Sequence, residues 1–337
     1  PENITAKLEQ TVANAVPTHM TYNILTHAKT YTNGTMTAEV SNFPASTEEK
    51  YWASNFGQNY AYTSTSDYHY FLPTTEGSKL KLTFTAGTLF WKPLTGTIPQ
   101  LNGTLQMQAN KSYLVKIKLK PNYIYLMSDG TTGYFKDTTF GGGTKTPVGV
   151  VADPTARVAI ALKNVSDETK YAWFAGNPHA DNTTQYTGEG KTDMEGYKWT
   201  WEADGTTDNT IKANQQTAYP AFYAAGHYNP GVPISGTLVG KKWYLAACGE
   251  WYTYGVKSLG LSDDTIYSTF YGVLLDQSFT KVGGMKLTQE TPYYLVSTQF
   301  TDGINQMTRV YSFMYNTESW SGGSGGAAGI IRPFIKY

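Results

Sequence analysis

The sequence predicts a mainly β chain of two domains, and three observations carry that reading. Charged residues make up only 15% of the chain while aromatics reach 15%, with 27 tyrosines. A globular protein usually has about a quarter of its residues charged, and exposed helix faces are where most of them sit. Thr, Tyr, Gly and Asn are abundant, and short alternating runs recur between turn residues, the pattern of antiparallel strands. The third observation is length: 337 residues and 37.2 kDa favour two domains over one.

Roughly the first 30 residues carry no clear period. In "YTNGTMTAEV", Asn33-Gly34 lies between alternating residues and predicts a hairpin turn. Strands are expected at "YHYFLP" (68–73), "SKLKLTFTAGTLFW" (78–91), "GTLQMQ" (103–108) and "SYLVKIKLK" (112–120). In the last, Tyr113, Val115, Ile117 and Leu119 share one face and Lys116, Lys118 and Lys120 the other, as in a half-buried strand of an antiparallel sandwich. Pro121-Asn122 punctuates the chain, so the domains are read as 1–122 and 123–337. A hairpin around Asp129-Gly130 follows, then "PVGVV" and "ARVAIALKNV" as buried strands, with "FGGGTKT" (140–146) as the loop before them. Residues 175–215 are polar and turn-rich, broken only by "YKWTWEAD", and read as a long excursion of the kind that carries function. "KKWYL", "YYLVSTQF" (293–300), "TRVYSFMY" (308–315) and the closing "IIRPFIKY" read as strands, and "SGGSGGAAG" (321–329) as a loop.

Twenty-six basic residues balance twenty-six acidic ones, so net charge gives no reason to expect nucleic acid or an anionic membrane as a partner. The single cysteine excludes an internal disulfide framework and any multi-cysteine metal site. No apolar run reaches the ~18 residues of a membrane helix. The chain opens on "PENITAKLEQ" without Met, which reads as a mature or trimmed form whose export signal or lipid anchor has been removed.

That cysteine stands in "WYLAACGEWYTYGVKSLG". Cys248, Trp251, Gly255 and Ser258/Leu259 recur at intervals of three and four, one face of a short helix. Glu250 falls in its first turn, where the helix dipole favours an anion, and Gly260 follows as a C-terminal stop. Cys248, with Trp243 and Trp251, is therefore read as core packing. The catalytic alternative needs a base, and His227 in "AAGHYNP" is the best placed of five histidines.

The same segment carries a resemblance. Trp243-Tyr244-Leu245-x-x-x-Gly249-Glu250-Trp251 resembles the W-Y-L-P-S-x-G-E-W/L signature of C-type-lectin-like domains on bacterial surface proteins. "FTKVGGMKL" (279–287), "YYLVSTQF" and "IIRPFIKY" match in order, and "YLMSDGTTGYF", "TPVGVV" and "RVAIALKNV" fit the start, so the resemblance spans 123–337. The first part resembles a fimbrillin domain in the cadence of "YTNGTMTAEVSNF", "KLKLTF" and "NKSYLVKIKLK". Together the halves resemble a fimbrillin-family (type V pilus) subunit of the accessory or tip kind. The resemblance implies a fimbrillin- or transthyretin-like β-sandwich followed by an α+β lectin-like domain. It also implies a precursor exported as a lipoprotein to the outer membrane, attachment to the cell surface, and strand exchange with other pilin subunits.

The chain departs from that pattern at Ala246 and Ala247, where the family commonly has Pro-Ser, and at Val296-Ser297-Thr298-Gln299, in the slot of Trp-Ser-Ser-Thr-Glu. The calcium-dependent sugar-binding triplets and paired cysteines of animal C-type lectins are absent, so the fold does not license their chemistry. Formylglycine-generating enzymes share the broad fold and need two active-site thiols.

Other chemistry has weaker support. "GGGTKT" and "GGSGGAAG" do not fit a phosphate loop. Asp263-Asp264 and Asp302 lack calcium-ligand spacing, and nothing marks Glu195, Glu202, Glu250 or Glu290 as a glycosidase pair. No cofactor, metal or catalytic residue is expected. The candidate ligand surface is aromatic: on an extended strand Tyr197, Trp199 and Trp201 would share one face, flanked by Glu202 and Asp204 and joined by Trp320, to stack on a host glycan or anchor a protein. The competing reading has these tryptophans closing the core. The expected function is a non-enzymatic pilus and adhesion subunit. A carbohydrate-binding lipoprotein of a glycan-uptake system is the alternative, and a surface hydrolase ranks below it.

Overall fold

The computed structural model describes residues 4–43, 70, 72–73, 80–85, 88–89, 92–93, 96–98, 108–111, 123–176, 180–187, 190–257, 276–287, 293–301, 306–314, 317–324 and 328–337. The chain is mainly strands in antiparallel sheets with few helices, and it forms two compact units, Pro1–Asn122 and Tyr123–Tyr337.

In the first unit, β1 (Ile4–Gln10), β2 (Val16–Tyr22), β3 (Lys29–Gly34), β4 (Glu39–Phe43), β5 (Leu80–Thr85), β6 (Thr88–Leu89), β7 (Lys92–Pro93) and β8 (Gly96–Ile98) are described. They make a four-stranded sheet in the order β4-β1-β5-β8 and two ribbons, β2-β3 and β6-β7. The hairpin expected at Asn33-Gly34 is displaced. Both residues lie inside β3, paired with Pro17 and Val16. The reversal is at Asn23–Ala28, where the Asn23 side chain accepts the backbone N–H groups of Leu25 and Thr26 and His27 takes a left-handed φ of 56°. An Asx turn is the stronger local signal because the side chain itself replaces a backbone partner. The strands expected at 103–108 and 112–120 lie outside the described residues, apart from Gln108, which is in no strand; of 68–73 only residues 70, 72 and 73 are described, and they are in no strand either.

The second unit is built on β9 (Ile124–Met127), β10 (Thr132–Tyr134), β11 (Pro147–Asp153), β12 (Val158–Ala161), β13 (Tyr171–Ala172), β14 (Trp243–Tyr244), β15 (Tyr293–Thr301), β16 (Gln306–Met314), β17 (Thr317–Ser324), β18 (Ala328–Gly329) and β19 (Phe334–Lys336). The main sheet runs β10-β9-β11-β12-β19-β14, so the closing strand pairs with both β12 and β14. The hairpin at Asp129-Gly130 joins β9 to β10. Apolar side chains cover both faces. Tyr125, Met127, Val150, Val158, Ile160 and Phe334 belong to one core cluster; Leu126, Val148, Val151, Ala159 and Ile335 belong to another. Burial on both faces explains why "PVGVV" and "RVAIA" read as unbroken apolar runs. The first half of the expected 321–329 loop is instead the end of β17.

The excursion between β13 and β14 holds α1 (Gly196–Trp201), α2 (Pro220–Gly226) and several short 3-10 turns, with no extended strand among its described residues. "YKWTWEAD" is thus helical, which corrects the strand reading of Tyr197, Trp199 and Trp201. After β14, α3 (Cys248–Glu250) widens into a π-helix over Trp251–Lys257. Cys248, Trp251 and Gly255 of the expected stripe are buried along it, and Tyr254 is buried beside them; Ser258, Leu259 and Gly260 lie outside the described residues.

Candidate functional site

The segment from Trp243 to Trp251 works as a junction. Its strand, β14, hydrogen-bonds to β19, and Leu245, Ala246 and Cys248 after it tie into other elements. The Leu245 N–H is donated to Thr200 Oγ1 at 3.2 Å, the Ser297 N–H to the Ala246 carbonyl at 2.9 Å, and the Cys248 N–H to Thr298 Oγ1 at 2.7 Å. Glu250 is fully buried; it accepts the Tyr244 hydroxyl on Oε1 and the Ala247 N–H on Oε2, both at 2.9 Å. Burial pushes its carboxyl up to about 8, against the pull of those two bonds and of Lys336. The dipole argument for an anion in the first turn is therefore outweighed by desolvation.

Asp193, on the incoming loop, is also fully buried. Its Oδ1 accepts the Glu195 N–H at 3.0 Å, and its two oxygens share the Trp199 indole N–H at 3.0 and 3.1 Å. Burial raises its carboxyl above the usual range, though bonds from Thr298, Glu195 and Trp199 work the other way. The loop and the junction touch so closely that two glycines are required. A Cβ at Gly249 would stand 2.3 Å from the Asp193 carbonyl oxygen, and one at Gly196 would stand 2.6 Å from the Ala247 nitrogen. Cys248 is buried in the main cluster, whereas His227 is exposed, so the pairing of thiol and base is not formed.

The proposed aromatic surface is split. Trp199 is buried with Trp173, Tyr219 and Phe222, and offers no face to a ligand. Tyr197 and Trp201 are half-buried against the main cluster. Trp201 donates its indole N–H to the Trp243 carbonyl at 2.7 Å, while the Lys242 ammonium lies 4.1 Å from its ring centroid. His227 stands 6.0 Å from the same ring and stacks on Tyr223 at 4.0 Å. The result is a partly exposed ridge of Trp201, His227 and Tyr223 with a cation at one end. Glu202 and Asp204 are exposed beside it, Asp204 lying 3.8 Å from Lys198. Trp320 belongs to β17, and its side chain lies outside the described residues, as do Asp263, Asp264, Glu290 and Asp302.

Sequence reasoning missed a second polar centre. Lys212, in the 3-10 turn Lys212–Asn214, is fully buried. Its Nζ donates to Asn182 Oδ1 and is enclosed by Trp173, Tyr219 and Phe222, with ring centroids 4.6, 5.5 and 5.1 Å away. Asn182 is itself fixed: its Nδ2 donates to the Ser297 carbonyl at 3.0 Å and its N–H to Gln299 Oε1 at 2.8 Å. Gln299 Nε2 in turn donates to Asp181 Oδ1 at 2.6 Å. Burial lowers the Lys212 amine to about 7, with Asp181 and Asp208 opposing. The residues come from three places in the chain, so no local spacing announces them.

Arg332, in the closing "IIRPFIKY", is a third buried polar centre. Its buried guanidinium donates to the Met285 and Lys286 carbonyls at 2.9 Å and to the Ala161 carbonyl at 3.3 Å, which ties "VGGMKL" and the end of β12 to the closing segment. Among the described residues no group of three or more His, Cys, Asp or Glu is placed to hold a metal, and no helix is long and apolar enough to cross a membrane. Comparison with known proteins finds no matching family model, no matching curated protein and no matching solved structure.

Proposed function

We propose that the chain is a non-enzymatic cell-surface adhesion subunit of the fimbrillin pilus type. On this reading a β-sandwich first domain assembles with other pilins by strand exchange. A C-type-lectin-like second domain presents the ridge of Trp201, His227 and Tyr223 to a host glycan or protein. The observation that carries the reading is the ridge itself. The reactive groups, Cys248 and Glu250 of the junction and Asp193 of the incoming loop, are buried in the packing there, whereas the ridge leaves ring faces and a cation in reach of solvent. Aromatic faces beside a cation suit stacking on sugar rings or on a peptide anchor.

The test is a glycan array and a host-protein pull-down with the soluble chain, run beside His227→Ala and the double variant Tyr223→Ala/Lys242→Ala. These side chains are exposed or half-buried, so the thermal melts should match the parent. Binding should fall at least about 30-fold, the loss expected of an anchor residue. Full binding by folded ridge variants removes the ridge from the reading. Fractionation of the native protein away from surface fibres removes the pilus assignment.

A further inference from the structure

We propose that the Lys212 and Asn182 side chains are joined by an intramolecular isopeptide bond. Three observations point to it. First, the Lys212 Nζ is hydrogen-bonded to Asn182 Oδ1, which brings the amine against the amide carbon it would attack. Second, both side chains are buried, at 0% and 2% exposure, so water does not compete for the amide. Third, the amide is held in place from its other side by the Ser297 carbonyl on Nδ2, and the backbone of Asn182 by Gln299. Fixing two reactants at contact removes most of the entropic cost of their meeting.

The surroundings favour the nucleophile. A lysine attacks only as the neutral amine, and burial among the rings of Trp173, Tyr219 and Phe222 disfavours the ammonium form. The charges of Asp181 and Asp208 pull the other way, toward the ammonium, and burial outweighs them.

The step balances without a co-reactant. The Nζ–Cγ bond forms and the Cγ–Nδ2 bond breaks. One amine hydrogen stays on the new amide nitrogen and the other moves to the leaving nitrogen, which departs as ammonia. No electrons are exchanged. The product staples the long excursion of the second unit across a separation of 30 residues, with α1 inside the loop. This inference is independent of the adhesive reading, since a cross-link would form whatever the ridge binds.

Intact-mass measurement of the full folded chain decides it. The expected mass is one ammonia below that of the sequence, and tryptic digestion should give a branched peptide joining the Asn182 and Lys212 segments, with no cleavage after Lys212. A succinimide at Asn33-Gly34 or Asn102-Gly103 would also lose ammonia. Hydroxylamine opens a succinimide but leaves the branched peptide intact, so mass loss reversed by hydroxylamine counts against the proposal. Lys212→Ala should restore the full mass; if that variant does not fold, the parent's digest alone carries the result. A folded parent at full mass after overnight incubation at neutral pH, yielding separate Asn182 and Lys212 peptides, overturns the proposal.

Discussion

At Gly249 the backbone of the incoming loop occupies the space of a side chain: the carbonyl oxygens of Asp193 and Lys191 would lie 2.3 and 2.7 Å from a Cβ. Both neighbours are backbone and cannot rotate away. Asp193 is held in turn by the Trp199 indole and by the Glu195 N–H, so its shift would disturb a buried carboxylate. Gly249→Ala should therefore cost about 3 kcal/mol, at the upper end for overpacking, because two backbone segments must separate. Urea denaturation of the variant measures this. A loss of a few tenths of a kcal/mol would mean that the loop and the junction are not in contact. Gly249 was legible in the sequence as part of a resemblance, but its physical role was not. The residue it meets lies 56 positions earlier, and no period links the two.

The α1 helix shows why a pattern can be read at the wrong period. Tyr197, Trp199 and Trp201 alternate with polar residues as a half-buried strand would. In the helix Tyr197 and Trp201, four apart, share a face and pack on the main cluster, while Trp199 packs on the cluster of Trp173 and Phe222. A short helix wedged between two apolar clusters buries opposite sides and so imitates a period of two. The strands fared better where burial was simple. "PVGVV", "RVAIA" and the Asp129-Gly130 hairpin announced themselves, because apolar runs and turn residues are local signals. The consequence for Trp199 is concrete. Trp199→Ala removes a fully buried indole and leaves Asp193 short of one donor, so it should cost about 4 kcal/mol, at the large end for a core truncation. A calorimetric melt tests this. A variant as stable as the parent would place Trp199 outside the core.

Across the whole molecule, the buried ionisable groups make stability depend on pH in a way that also reports the state of Lys212. Glu250 has an ordinary value near 4.5 when unfolded and about 8 when folded. The folded chain keeps a proton that the unfolded chain releases. Its contribution is full below about 4.5 and is lost as pH rises through 8, at up to about 1.4 kcal/mol per pH unit. Asp193 is raised by burial as well and acts in the same direction. A Lys212 amine would do the reverse: at 10.5 unfolded and about 7 folded, it contributes stability above 10.5 that is lost as pH falls through 7. Such an amine would make stability climb from neutral to alkaline pH. An isopeptide nitrogen does not titrate, so the cross-linked chain should show only the falling limb. Urea melts between about pH 5 and 9 should give stability that declines to about 8 without recovery, and Glu250→Gln should flatten most of the decline. The glutamine costs some stability throughout, since its NH2 must face either the Tyr244 hydroxyl or the Ala247 N–H, but a constant offset does not alter the slope. A rise above about pH 8, where the Glu250 decline ends, that disappears in Lys212→Ala would show an intact amine. An unchanged slope in Glu250→Gln would show that the Glu250 carboxyl keeps its ordinary value in the fold.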